Sequence, residues 1–268
     1  MNSPGTVRRA ATVRERARAE LTREIKEEAR RQLLATGADG LSLRAVAKEL
    51  GMVSSALYRY YPSRDDLLTA LIVDAYNALG AAAEHALAGP APARERWIAA
   101  CHAIRDWARS NPHEYALVYG SPVPGYRAPD ATIGPASRVP LAFAGVVRDA
   151  LAAGELAAPR EALPVTGALA GQAAALSAAL AASAASPESP GAYASVPPDA
   201  LVRAVIAWTQ LFGMISFELF GQFVGSFEPA DALFAYTVAQ LTAFVGLREA
   251  SASTGSGTPG TPAATLEA

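Results

Sequence analysis

The sequence predicts a nearly all-α protein: a compact three-helix domain at the N-terminus followed by a larger helical body. Three observations predict it. Alanine, the strongest helix former, supplies about 62 of the 268 residues, roughly 23%. Aromatic residues are only 7% of the chain and β-branched residues are sparse, so strand formers are few. Apolar residues recur three and four positions apart through most segments, the period of an amphipathic helix.

Composition excludes several classes. With 51% hydrophobic and 18% charged residues the chain is too apolar to be wholly disordered, and its length allows one or two domains. The single cysteine, Cys101, can form neither an internal disulfide nor a cysteine-based zinc site, which points to a reducing cytoplasm. A net charge of -2 hides an asymmetry. The first 70 residues carry 13 Lys+Arg against 9 Asp+Glu, whereas the remainder carries 10 against 16. A basic first quarter on an acidic body suits a module that faces a polyanion. Arg8, Arg9, Arg14, Glu15, Arg16 and Arg18 interrupt any signal-peptide core. The uncharged run 162–185 has the length of a bilayer span, but half of it is alanine with Pro164, Gln172 and Ser177 included, so it reads as a close-packed helix and not a membrane segment.

Taken in order, residues 1–19 read as a flexible basic arm. It is open to two readings, a solvated tail or a phosphate-contacting arm. Leu21, Ile25, Ala29 and Leu33 give a first helix that Gly37 and Gly40 terminate. Ser42 is an N-cap, and Leu43, Val46, Ala47 and Leu50 follow at helical spacing. Gly51 supplies a turn, Ser54 or Ser55 caps a third helix, and Pro62 stops that helix at Tyr61. Helix, tight turn and short helix make a helix-turn-helix over residues 20–62. Ser63 with Asp66 then caps a long helix at 63–87. Further helices are predicted at 92–109, 112–119, 137–153, 160–184, 199–224 and 230–247. Proline and glycine make 120–135 and 186–198 loops. The regulatory body spans 63–250, and 251–268, rich in Ser, Thr, Gly and Pro, reads as a disordered tail.

Residues 41–68, LSLRAVAKELGMVSSALYRYYPSRDDLL, together with the first helix at 22–37, resemble the DNA-binding signature of TetR-family transcriptional regulators. The resemblance implies an all-α homodimer whose N-terminal helices bind double-stranded operator DNA and whose body binds a small-molecule effector and forms the dimer. It implies a repressor on a near-palindromic operator, released by its ligand. It places the second helix of the motif, from Ser54 to Tyr60, in the major groove, with Ser54, Ser55, Ala56, Tyr58, Arg59 and Tyr60 toward DNA. Tyr58 matches the usual phosphate-contacting tyrosine, Ser42 and Arg44 match the start of the preceding helix, and Arg64 is set to meet a phosphate. The chain departs from the family pattern at Tyr60, Tyr61 and Arg64, where His, Phe and Lys are common. Tyr58 and Tyr60 also have a packing reading at the domain joint, and Arg59 a solvated one. A constitutive or architectural DNA-binding dimer without a ligand is the alternative function.

In the body His85, His102 and His113 lack metal-ligand spacing, no glycine-rich phosphate loop occurs, and Cys101 lies on the apolar stripe Trp97, Cys101, Ile104, Ala108. No catalysis, metal or cofactor is expected. Trp107, Tyr115, Tyr119, Phe143, Gln172, Trp208 and Phe212 are candidate effector contacts, with core packing as the competing role of each aromatic. YALVYGSPVPGY at 115–126 and AWTQLFGMISFELFG at 207–221 resemble a TetR subgroup carrying a Trp-His-Gly motif, with Trp208 and Gly213 in place and Phe212 where the histidine would be. The long apolar helices at 160–184 and 199–224 are expected to pair across a two-fold axis.

Overall fold

The computed structural model describes residues 4–160, 162–184 and 196–249. Among the described residues ten α-helices follow one another: α1 (Pro4–Thr36), α2 (Leu43–Glu49), α3 (Ser54–Leu57), α4 (Arg64–Leu87), α5 (Ala93–Ser110), α6 (Pro112–Tyr119), α7 (Ile133–Ala152), α8 (Gly167–Ala184), α9 (Pro198–Leu219) and α10 (Asp231–Val245). Among the described residues there is no strand, only an isolated bridge between Leu156 and Leu247.

The helices enclose two cores, and α4 belongs to both. Its first half contributes Leu67, Leu68, Leu71 and Ile72 to a core shared with Ile25, Ala29, Val46, Ala47 and Leu57. Its second half contributes Leu79, Ala83 and Leu87 to the body core around Trp97, Phe143, Leu211 and Phe234. Helix α4 is thus the element that the two cores share. The two are also tied by charge: Lys26 and Arg30 of α1 each meet Asp74 of α4 at 2.8 Å, and Arg30 reaches Glu114 of α6 at 2.7 Å.

Arg138 of α7 grips α4 from the other side. It reaches the Asn77 carbonyl at 2.8 Å and Glu84 at 2.6 Å. The close approach requires Gly80, where an added Cβ would stand 2.8 Å from the Arg138 Cβ. Arg138 holds the Glu84 carboxyl below its ordinary value, and Arg203 does the same to Asp199 at the start of α9. A carboxylate with a depressed folded-state pKa stabilises the fold at neutral pH and ceases to do so as pH falls through that value. Urea unfolding is therefore expected to show a loss of stability between pH 5 and pH 3, smaller when Glu84 and Asp199 are both replaced by their amides.

The body core also buries Arg105 of α5, 4% exposed, which takes both carboxylate oxygens of Glu218 at 2.7 Å and Asp231 at 2.9 Å while lying 4.6 Å over the Phe234 ring. This cluster pins α5, α9 and α10 together. Cys101 is buried and free on the predicted stripe, and burial pushes its thiol up. Both α4 and α9 are long and apolar enough to cross a bilayer by length and composition, with their buried residues packed in these cores.

Several boundaries differ from the sequence expectation. The segment expected as a flexible arm at 1–19 is helical from Pro4, because Ala, Arg and Glu are all strong helix formers and nothing from residue 6 to Thr36 breaks the run. The third helix closes after Leu57, and three residues in turn conformation, Tyr58 to Tyr60, carry the chain to Tyr61. Helix α7 begins at Ile133, four residues earlier than expected, with Pro135 in its first turn and Pro140 inside it. Helix α8 begins only at Gly167, which has φ 59°, and residues 162–166, with Pro164 among them, are not helical. Helix α9 ends at Leu219, and the turns beyond it include Gly221 and Gly225 at positive φ. Most of the expected loop 186–198, and the tail 251–268, lie outside the described residues.

Candidate nucleic-acid interface and effector cavity

The helix-turn-helix is assembled by local chemistry. The Ser42 hydroxyl accepts from the Ala45 amide at 3.4 Å, and the Ser42 amide donates to Gln32 of α1 at 3.3 Å, so the cap of α2 is also anchored to the first helix. Leu43, Val46 and Ala47 are buried, which leaves Arg44, Ala45 and Lys48 exposed on the opposite face of α2. Gly51 turns the chain at φ +64, a left-handed conformation that a side chain would strain. Leu57, fully buried, is the single anchor of α3, and Tyr61 joins the same core. Ser55, Tyr58 and Arg59 are consequently exposed, with Tyr58 at 42%.

Of the nine residues expected to face DNA, Arg44, Ser55, Tyr58 and Arg59 are exposed, and Ser42, Ser54, Ala56 and Tyr60 are half-buried around them. Arg64 is diverted: its guanidinium donates to the Ala38 carbonyl at 2.6 Å and lies 3.5 Å from Asp65, clamping the start of α4 to the loop after α1. Exposed residues that the sequence reading missed include Lys48 and Val53. Lys48 was detectable in the sequence, standing one turn after Arg44 on the same face of α2.

The seven expected effector contacts divide into groups. Tyr115, Tyr119, Trp208 and Phe212 converge, with ring centroids 4.3 Å apart for Tyr119 and Phe212 and 5.3 Å for Tyr115 and Tyr119. Tyr115, Tyr119 and Phe212 pack ring against ring, whereas Trp208 also reaches a cavity wall. Tyr115 is fully buried and its hydroxyl donates to the Phe212 carbonyl at 3.0 Å, with the Ser216 hydroxyl 2.9 Å away. Burial pushes its phenol up to about 12, so its stabilising contribution is complete below the unfolded tyrosine's value of about 10 and is lost as pH rises toward 12. Urea unfolding at pH 9 and pH 11 is expected to show an alkaline loss of stability that Tyr115→Phe reduces.

Phe143 packs against Trp97 with ring centroids 4.4 Å apart and planes tilted by 55° and, with Trp208, lines a cavity of about 210 Å³ between α7, α8 and α9. Ala144, Leu176, Leu180 and Leu201 complete most of its wall, and among the described residues Ser137 is its one hydroxyl-bearing side chain. The Trp208 indole N–H is buried with no acceptor among the described residues. Trp107 packs on the edge of the body core, and Gln172 is exposed on α8, so neither lines this cavity. The reason for Gln172 is register: Ala173 and Ser177 take the inward face of α8. A second cleft, about 370 Å³, opens between the N-terminal module and the body beside Leu33, Asp39, His113, Leu117 and Phe220. Among the described residues no three His, Cys, Asp or Glu side chains are grouped to hold a metal.

Comparison with known proteins adds independent information. A family model described as the tetracyclin repressor-like C-terminal domain matches residues 97–241, and one described as bacterial regulatory proteins of the tetR family matches residues 25–71. The HTH-type transcriptional regulators Rv1816 of Mycobacterium tuberculosis and Mb1846 of Mycobacterium bovis are each 50% identical to the chain over 145 residues. The match covers 52% of this chain and 61% of each regulator, so the chain spans about three fifths of the length of these curated relatives. The crystal structure of a putative regulatory protein, SCO4313, superposes over 85% of this chain and 97% of its own with a TM-score of 0.66 at 36% identity.

Proposed function

The chain belongs to the TetR family of bacterial regulatory proteins, whose members are regulators and not enzymes, and from that premise we propose that it is a cytoplasmic homodimeric repressor released from its operator by an apolar small molecule. The observation that carries the reading is the division of α2 and α3 into a buried apolar face and an exposed face bearing Arg44, Lys48, Tyr58 and Arg59. Arginine and tyrosine there meet base edges and phosphates, and Lys48 adds a phosphate contact.

Exposed side chains favour α9 with α10 as the dimer surface over the pairing of 160–184 with 199–224. Ile206, Phe217 and Phe220 stand outward on and just after α9, and Tyr236 and Phe244 stand outward on α10. The outward large residues of α8 are only Leu169 and Leu176, and α8 lies against α9. Two α9–α10 pairs across a two-fold axis make a four-helix bundle. Phe217→Arg combined with Tyr236→Arg is expected to give a folded monomer in sedimentation; a dimer of unchanged affinity would contradict the assignment.

The cavity between α7, α8 and α9 suits the effector because its wall is almost wholly apolar. Ser137, Pro140 and Leu141 of that wall flank Arg138, the residue that grips α4. A ligand that shifts α7 thereby moves α4 and the module on it. The likeness to the Trp-His-Gly subgroup supplies no contact of its own here, since Phe212, in the histidine's position, is occupied in the ring cluster.

The test is reciprocity. N-phenyl-1-naphthylamine, an apolar fluorescent probe, is titrated into the dimer with and without a duplex enriched from a random-sequence pool. If probe and duplex favour different states, the duplex must weaken probe binding by the factor by which the probe weakens duplex binding, ordinarily about 5–150-fold. Equal probe affinity in both titrations would leave the constitutive DNA-binding dimer standing.

A further inference from the structure

Helix α1 changes character at Glu20. Every described cation of α1 beyond that point is neutralised: Arg23 by Glu20 and Glu27, Lys26 and Arg30 by Asp74, and Arg31 by Glu28. The three described cations before it, Arg14, Arg16 and Arg18, are exposed and pair with no described carboxylate. The pattern also has a direction. Residues 14, 18, 21 and 25 follow one another at spacings of four, three and four, so they share one face of the helix. Leu21 and Ile25 take that face into the module's core. Arg18 continues it, with its guanidinium 5.5 Å over the ring of Tyr60, at the end of the recognition segment. Arg14 continues it by one more turn, about 6 Å farther along the axis, and is exposed there.

We propose that Arg14 and Arg18 form a helical outrigger that grips DNA phosphates immediately outside each half-site, with Tyr60 holding Arg18 in place. The proposal rests on the DNA-binding reading above. What selects a polyanion is charge: the face that is apolar wherever it meets protein becomes arginine where protein ends, and no acidic group of the described chain answers it. What selects DNA among polyanions is position, since Tyr60 ties this face to Tyr58 and Arg59. Arg16, nearly opposite on the helix, serves no such contact.

The experiment uses a site enriched by the full chain from a random duplex pool and made in two forms, one trimmed to the outer edges of its half-sites and one with ten further base pairs on each side. Wild type is expected to bind the extended form roughly tenfold more tightly, with a salt slope steeper by about 3 to 4, since two arginines in each of two protomers neutralise four phosphates at roughly -0.9 apiece. Arg14→Ala with Arg18→Ala should erase the difference while retaining the helical circular dichroism and the binding of the trimmed site. Arg14→Lys with Arg18→Lys should retain most of the difference, and Arg16→Ala all of it. Equal wild-type affinity for both forms, or a flank advantage that survives the double alanine variant, would overturn the outrigger and leave the helix-turn-helix reading intact. Failure of the full chain to enrich any sequence would overturn that reading and the outrigger with it.

Discussion

Arg44→Ala is expected to weaken binding of an enriched operator by about 1–3 kcal/mol for each copy, roughly 2–6 kcal/mol for a dimer that engages both half-sites, if Arg44 meets a base edge. The expectation follows from the division of α2. Leu43, Val46 and Ala47 fix the helix on the core, so the exposed Arg44 side chain beside them is held outward without a part in folding. Circular dichroism and urea unfolding should therefore be unchanged. Tyr58→Phe removes only a hydroxyl and should cost less, with the loss uniform across operator sequences if that hydroxyl meets a phosphate. Arg64→Ala should behave differently from both. Its guanidinium holds the Ala38 carbonyl, so the variant is expected to lose stability at the joint between α1 and α4 before it loses any DNA contact. Competition binding of the three variants on matched and mismatched duplexes separates the outcomes.

The largest effect on stability is expected at Glu218. Replacing it with Ala leaves the Arg105 guanidinium buried beside Phe234 with the exposed Asp231 as its remaining strong partner. Removing one member of a buried ion pair costs about 3–5 kcal/mol because the charge left behind stays desolvated, and Asp231 places this case at the lower end. The double variant Arg105→Met, Glu218→Leu removes both charges and should recover most of the loss, since an apolar pair of similar volume replaces an ion pair at little or no cost. Urea unfolding of the three variants at one protomer concentration completes the cycle. A Glu218→Ala protein as stable as wild type would show that the cluster does not pin α5 to α9 and α10.

The N-terminal module was legible because its signals are local. Ser42 caps α2, Gly51 turns the chain at positive φ, and the Ser63 hydroxyl accepts from the Asp66 amide at 3.1 Å as the capping pattern requires. The start of α1 was misread because dense arginine looks like a solvated arm, while helix propensity, which favours the same residues, continues the helix to Pro4. The position of Arg64 was not legible, since its partner is a carbonyl 26 residues away. The same holds for the body. The long apolar helices at 160–184 and 199–224 do not reveal which face turns outward; tertiary contacts turn Gln172 to the surface and bring Phe143 and Trp208 to one cavity wall. Arg138 as a grip on α4 depends on Gly80 opposite it, a pairing across 58 residues that no periodicity announces.

The central claim is that this chain reads DNA as a two-fold dimer through α2 and α3, and it is tested most directly by enrichment of random duplexes on the full chain at physiological salt, with sequencing of what is retained. The account predicts convergence on an inverted repeat whose half-site centres lie about one helical turn or slightly more apart, about 34–36 Å per turn, with the enrichment abolished by Arg44→Ala combined with Tyr58→Phe. A retained pool indistinguishable from the input, or enrichment untouched by that double variant, would contradict it.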